Sequence, residues 1–387
     1  MKPYKSLSAN VFLLIFWLFL PVVLYAEAGD QEAVTFRVQA ERWHEAGAIF
    51  HADPRWLGGD GAATVDLGEG RVLWLFGDSF VDLSGRGNRS SAALVRNCIA
   101  IQTGYDPTRA EMQFFWKTDE SEPAAFFRNK GDTWLWPASG IVAGRHLLVF
   151  LMKIQSADND LGFAPMGWKA AWVDNIQARP DRWHLTWLVS PQRQGMVVGI
   201  GTPIFQDGYL LVFAAKGGGD EVYLVRWPVA AVKKGMLTAP EWWAGQENGW
   251  IDLQSGDMPP APVFTERQME FSVAYHDGIK RYMRVQTKRF LNPCLSVATA
   301  PVLTGPWTEP ACFYTPPAQG DPDLLIYAGK HHPMLSGADM VVSYVVNTLH
   351  ADRLLSDMQL YYPVLLKGRI VGDYSVNKTW SSGPGQR

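Results

Sequence analysis

Three acids stand apart from the other carboxylates of this chain because each flanks an apolar run. Asp60 lies in Gly58-Gly59-Asp60-Gly61, Asp78 follows Val72-Leu73-Trp74-Leu75-Phe76-Gly77, and Glu270 precedes Phe271-Ser272-Val273-Ala274-Tyr275. Carboxyl groups brought together in a walled site raise one another's pKa, so that one keeps its proton while another is ionised. Hydrolysis of a glycosidic bond needs that division. We expect Asp60 as general base or nucleophile, Glu270 as general acid and Asp78 tuning one of them. Arg89, Trp136, Lys153, Lys216, His332 and Asn347 are the expected substrate-binding groups, because aromatic rings stack on sugars and polar ends bond their hydroxyls. Each acid also has a plainer use: Asp78 after Gly77 and Asp60 among glycines are placed to bond turn amides. Lys153 and Lys216 equally suit exposed strand ends.

These residues converge only if the intervening elements bring them together. Short apolar runs bounded by Gly, Pro and Asp recur along the chain and read as strands and hairpins. One group of four covers 62–65, 71–76, 97–103 and 111–116; a second covers 138–142, 146–154, 169–173 and 183–188. A third covers 201–205, 209–215, 221–227 and 241–243, and a fourth 271–275, 280–287, 294–299 and 311–314. The fifth offers three strands, at 325–327, 340–346 and 361–366, and residues 34–40 can supply its missing strand. One small sheet cannot cover both its faces, whereas sheets in a ring cover each other. The expected fold is all-β: a five-bladed β-propeller over 29–370, its N-terminal strand closing the last blade. A two-sheet sandwich with a small extra domain is the competing architecture. In a ring, the start of each inner strand and the end of its partner share one face, where the acids would meet, with the loop Asp82 to Arg89 above them.

Residues 1–28 read as a signal peptide, with Lys2 and Lys5, an apolar core from Val11 to Tyr25, and Ala26-Glu27-Ala28 for cleavage. Residues 371–387 read as a disordered polar tail. No other long apolar run occurs, so no membrane partner is expected after cleavage, and the location is secreted or periplasmic. The net charge of −3 gives no basic excess to follow phosphates, which argues against nucleic acid. Three Cys are too few for a disulfide scaffold. Cys294 and Cys312 flank a hairpin and would serve either as a bridge or as two buried thiols, while Cys98 is expected free and buried. His331-His332 has no Cys, Asp or Glu at ligand spacing nearby, so neither metal nor cofactor is expected.

Several of these segments resemble a family. Gly58-Gly59-Asp60, Trp74 to Phe80 and Asn88-Arg89-Ser90 look like the start of a secreted bacterial five-bladed propeller family of formerly unknown function, which includes endo-D-arabinanases. Trp136-Pro137-Ala138-Ser139-Gly140 with 147–153, and His332-Pro333 with Ser343-Tyr344 and Asn347, look like its later blades. The resemblance spans roughly 34–370 and implies carboxylates at the inner ends of separate blades. The chain departs from the arabinanases, invertases and levansucrases of the wider superfold at Trp136 and Thr202, where their second- and third-blade acids would fall. Only Asp60 matches position for position.

The resulting expectation is a monomeric glycoside hydrolase-like protein acting on a furanose-containing or related polysaccharide or oligosaccharide. The same mouth would serve a non-catalytic carbohydrate-binding propeller, and the same ring a protein-interaction propeller of the cell envelope.

Overall fold

The computed structural model describes residues 36–372 apart from 160, 194, 253–257, 266–267 and 289–292. The expected signal peptide and all but the first two residues of the expected tail lie outside the described residues. Val371 itself still belongs to a strand.

The described chain is all-β, with five larger antiparallel sheets in succession and two small ones, of two and three strands, in one unit, Thr35–Tyr374. The first sheet runs Ala63–Gly68, Arg71–Phe76, Cys98–Thr103, Glu111–Phe115. The second runs Trp134–Ala143, His146–Ser156, Phe163–Val173, Leu185–Leu188. In the third, Met196–Val198 and Ile204–Gln206 both pair with Tyr209–Lys216, followed by Glu221–Pro228, Glu241–Trp243 and Trp250–Asp252. The fourth runs Phe271–His276, Arg281–Lys288, Cys294–Ala300, Ala311–Tyr314. The fifth orders Leu324–His331, Met340–Thr348, Pro363–Val371 and finally Arg37–Arg42. The N-terminal strand therefore occupies the outer edge of the last sheet, in register from Arg37 opposite Val371 to Arg42 opposite Leu366.

Side chains alternate across a strand, and here the alternation divides each second strand between two cores. Leu73 and Leu75 pack toward Leu147, Val149 and Leu151 of the second sheet. Val72, Trp74 and Phe76 pack the other way, with Val341 and Leu365 of the fifth. Leu148 and Phe150 join Val212 and Phe213 of the third sheet, with Phe271 and Val273 of the fourth. Met340, Val342 and Tyr344 meet Met283 and Val285 of the fourth. Each sheet is thus covered on both faces, and the fifth contacts the first. Truncating one such fully buried side chain, as in Leu75→Ala, costs about 2–5 kcal/mol.

One strand or strand end from each sheet lines a narrow cavity of about 40 Å³, through Thr64, Ser139, Thr202, Ser272 and Lys330 with His332. Its polar groups tie neighbouring sheets together. Thr202 Oγ1 accepts from Val273 N at 3.1 Å and Ser272 Oγ accepts from His331 N at 2.6 Å.

Local departures from expectation have visible causes. The strand from Arg71 ends at Phe76 as expected, but the polar loop after it is not all loop: Ser79–Val81 joins Trp56–Gly59 and Ala93–Val95 in a separate small sheet. The inner strand of the second sheet begins before Pro137, which sits at a bulge, where a missing N–H is tolerated. The expected strand 201–205 begins only at Ile204, and Met196–Val198 pairs with the same neighbour; between them Gly199 (φ +101) and Gly201 lie against the rings of Phe150 and Phe271, with no room for a side chain. Cys294 and Cys312 form a disulfide between adjacent strands of the fourth sheet, and Cys98 is free and buried.

Deleting residues 37–42 should leave Pro363–Val371 as an open edge and uncover part of the fourth–fifth core. The expected outcome is insoluble protein; a soluble deletion variant with a single cooperative melt would contradict it.

Candidate active site

Asp60 sits in the turn that enters the first sheet, held to the end of the neighbouring strand by Gly77 N donating to its carbonyl at 3.0 Å. A Cβ at residue 77 would occupy the space of the Asp60 carboxylate, so glycine there makes room for the acid. Tyr327 Oη donates to Asp60 Oδ2 at 2.8 Å, and Tyr361 supplies a second hydroxyl. Tyr361 is bulky yet has φ +68, a conformation that costs a non-glycine residue energy. Its carbonyl accepts from Gly59 N at 2.8 Å, and the close approach leaves no space for a Cβ on Gly58. The Gly58-Gly59 pair is thus needed to press the Asp60 turn against Tyr361.

Asp78 leaves the first sheet beside this turn. Its Oδ1 accepts from Trp136 Nε1 at 2.8 Å and its Oδ2 from Arg96 at 2.9 Å. Glu270, just before the fourth sheet, pairs with Lys330 Nζ at 2.8 Å. The Lys330 ammonium is buried, also donates to Gly61 O at 2.7 Å, and lies between the cavity and the acids. The Asp78 and Glu270 side chains remain 16% and 27% exposed, so the cluster is enclosed without being sealed from solvent.

Asp60 is pushed up to about 7, first by burial and then by the charges of Asp78 and Glu270, against the pull of the two tyrosine hydroxyls. Asp78 is also raised, by burial, with the Trp136 indole and Arg96 opposing. Burial and Asp60 hold Tyr327 and Tyr361 well above the ordinary phenol range, so both act as neutral donors. The charges of Asp78 and Glu270 both act on Asp60.

The other expected residues divide. Trp136 belongs to the site, its indole on Asp78 and its ring edge-on to Phe163 at 4.7 Å. Asn347 stands one layer back: its Nδ2 donates to Tyr327 Oη at 3.0 Å and its Oδ1 accepts from Thr348 N, so it positions a tyrosine. Arg89 is not a substrate group. It is buried, and its guanidinium donates to the carbonyls of Leu57, Leu354, Asp357 and Leu360, pinning its loop to a connection of the fifth sheet. His332 is likewise committed to the interior, with Nδ1 on Thr64 Oγ1 at 2.8 Å and Nε2 on Ser343 Oγ at 2.7 Å. Burial holds it well below the usual imidazole range. Lys153 lines a different cavity, and Lys216 is an exposed strand end beside Gly195.

Four groups that set the site's charge were not anticipated: Tyr327, Tyr361, Lys330 and Arg96. Lys330 had a signal, as a lone cation closing the run Leu324–Gly329. A register shift between Tyr327 and Lys330, with Ala328 at φ +58, aims both at the acids, and the sequence pattern does not show it. Among the described residues no group of three His, Cys, Asp or Glu is placed to hold a metal ion.

Residues 47–363 match a family model described as "Domain of unknown function (DUF5005)". No curated protein matches. Among solved structures, a hydrolase candidate from Bacteroides ovatus ATCC 8483 superimposes with a TM-score of 0.67 at 15% identity, over 86% of this chain and 90% of its own. It shares the fold. Xylan β-1,4-xylosidase from Bacillus halodurans C-125 gives 0.44 at 10% identity, over 83% of this chain and 54% of its own. The catalytic domain of the Coprinopsis cinerea GH62 α-L-arabinofuranosidase gives 0.41 at 11%, over 86% of this chain and 96% of its own. This chain thus spans about half the length of the xylosidase.

Two outcomes follow from the geometry. A carboxyl whose folded pKa is raised binds more protons folded than unfolded, so it lowers stability as pH rises from about 4 to about 7. Asp60→Asn should therefore raise the melting temperature at pH 8, by up to about 4 kcal/mol in stability, with the gain vanishing near pH 4; a pH series of thermal melts checks this. Arg89→Met leaves buried carbonyls unpaired and should destabilise by at least about 3 kcal/mol in urea unfolding.

Proposed function

The chain belongs to the DUF5005 family, and from the geometry of its carboxylate cluster we propose that it hydrolyses glycosidic bonds. One observation carries this reading. Three carboxyl groups share an enclosed site; Asp78 and Glu270 each have a cation, while Asp60 has only neutral hydroxyl donors and keeps its proton to about 7. Glycoside hydrolysis asks for a protonated carboxyl beside the leaving oxygen and an ionised one opposite. Asp60 is then the general acid and Glu270 the base or nucleophile, the reverse of the division expected from sequence. The reason is Lys330, whose ammonium compensates charge on Glu270 and not on Asp60. Asp78 raises the Asp60 pKa and orients Trp136, whose ring offers a surface for a sugar face.

The five sheets are read as the blades of a five-bladed propeller, closed by Arg37–Arg42, with the acids at one mouth. The substrate is a furanose-containing polysaccharide, as in the endo-D-arabinanases the sequence resembles, met by a monomer outside the cytoplasm after cleavage of residues 1–28.

Asp60→Asn and Glu270→Gln should each lower kcat about 10³-fold on a furanosidic polysaccharide that the wild type cleaves. Activity should fall as pH rises through about 7, because Asp60 must be protonated to donate. Near-normal turnover in either variant, or no cleavage across a panel of arabinans and other furanosidic glycans, would overturn the assignment. Proton NMR of the first product anomer distinguishes inversion from retention.

A further inference from the structure

A second cavity, of about 370 Å³, opens on the second sheet, with Lys153, Met166, Trp168, Lys169, Gln192 and Arg193 in its lining. Three of these residues are cations and no acid lines the cavity. Among the described residues none of the three cations is ion-paired with a carboxylate. Lys169 Nζ donates to Asn129 Oδ1 at 2.8 Å and lies 4.8 Å from the Trp187 ring centre, both neutral partners. Burial, then the like charges of Lys153 and Lys130, make its ammonium less favourable than in water. Arg193 lies near Tyr223, whose hydroxyl donates to Glu221 and which also feels the charge of Asp220. Among the described residues Lys153 and Lys169 thus place two ammonium groups on the cavity wall with no ion pair, in a chain whose net charge is −3.

The walls are fixed in advance. Gln192 Nε2 donates to Trp168 O at 2.9 Å and to Ser190 O at 2.8 Å, while Trp168 Nε1 donates to Pro191 O at 3.2 Å. A prebuilt polar cavity loses little entropy on binding. Its volume falls within the range of small-ligand sites and admits one or two sugar rings.

Its location relates it to the carboxylates. Lys153 pairs with Leu135, next to Trp136, at the end of the second sheet from which the Trp136 indole reaches Asp78. Phe163, edge-on to Trp136, begins the strand that carries Met166, Trp168 and Lys169 along the cavity.

We propose that this cavity is a subsite for an anionic sugar residue, one bearing a carboxylate or a sulfate, beside the bond cleaved at Asp60 and Glu270. Its role as a subsite rests on the hydrolase reading; its binding of an anionic sugar does not. Lys153 and Lys169 hold the anionic group, Arg193 offers a planar pair of donors, and the exposed Met166 side chain offers an apolar surface to the ring.

The test is calorimetric titration of the full chain with trigalacturonate, a chondroitin sulfate tetrasaccharide and neutral xylotriose. At least one acidic oligosaccharide should bind tenfold or more tighter than xylotriose at low salt, and the advantage should shrink as salt screens it. The Lys153→Gln/Lys169→Gln double variant should lose the advantage, the corresponding Arg double variant should keep it, and Asp60→Asn should leave it unchanged. Trigalacturonate against the sulfated glycan tells carboxylate from sulfate recognition. Equal binding of acidic and neutral sugars, no binding of any, or an acid preference that survives in a natively melting double Gln variant overturns the proposal. Acidic sugars bound but never cleaved would sink the hydrolase reading alone. A neutral glycan cleaved with no acid preference would sink this one alone.

Discussion

Each sheet of this protein must be apolar on both faces, because each is pressed between two neighbours. That constraint leaves charged side chains few places to go: the outer edges, the turns and the ends of the inner strands. Trp74 and Leu75, adjacent in sequence, lie in different cores. The strand that carries them can become polar only where it emerges, at Gly77 and Asp78. The chemistry of the mouth is in this sense a by-product of the packing. Polar residues from separate sheets are brought to one end because the middle of every inner strand is closed to them.

Within that mouth the distribution of cations matters more than the number of acids. Arg96 is held by Asp78 and Lys330 by Glu270, at 2.9 and 2.8 Å. Among the described residues Asp60 receives hydroxyls alone. A hydroxyl donor stabilises a carboxylate far less than an ammonium or guanidinium does, so the third acid is left to the desolvation that raises it. Two cations face three carboxyls, and their placement singles out the one left uncompensated. The glycines at 58, 59 and 77 belong to the same device, since each clears the space in which the Asp60 turn meets Tyr361 and the first sheet.

Much of this was legible in the sequence where the physics is local. Strand positions followed from apolar runs between turn residues, and the outer-edge role of the N-terminal strand followed from the missing strand of the fifth group. Asp60, Asp78 and Glu270 were singled out because they flank such runs. The errors have a common origin. Arg89 and His332 are polar residues that the sequence places near a mouth, yet both point inward to bond backbone carbonyls and hydroxyls. Side-chain direction at a strand end depends on bulges and on neighbours distant in sequence. Lys330 and Tyr327 were missed for the same reason: one register shift in the inner strand of the fifth sheet aims both at Asp60 and its neighbours.

The pairing of Arg37–Arg42 with Pro363–Val371 sets the order of events during biosynthesis. Gln39 and Arg369, bonded across that pair, are 330 residues apart. Closing so long a segment adds only about 2 kcal/mol of entropy over a thirty-residue loop, so the equilibrium cost is slight. The delay is not. At roughly 5–20 residues per second a ribosome needs on the order of 15 s or more to make the distant partner after the first strand is complete. Throughout that interval the Trp74–Phe76 face of the first sheet lacks Val341 and Leu365 to cover it. The nascent chain can therefore pack Trp74 and Phe76 against Phe50, Trp56 and Phe114 at once, but the side of that cluster that meets Val341 and Leu365 stays open until the fifth sheet is made.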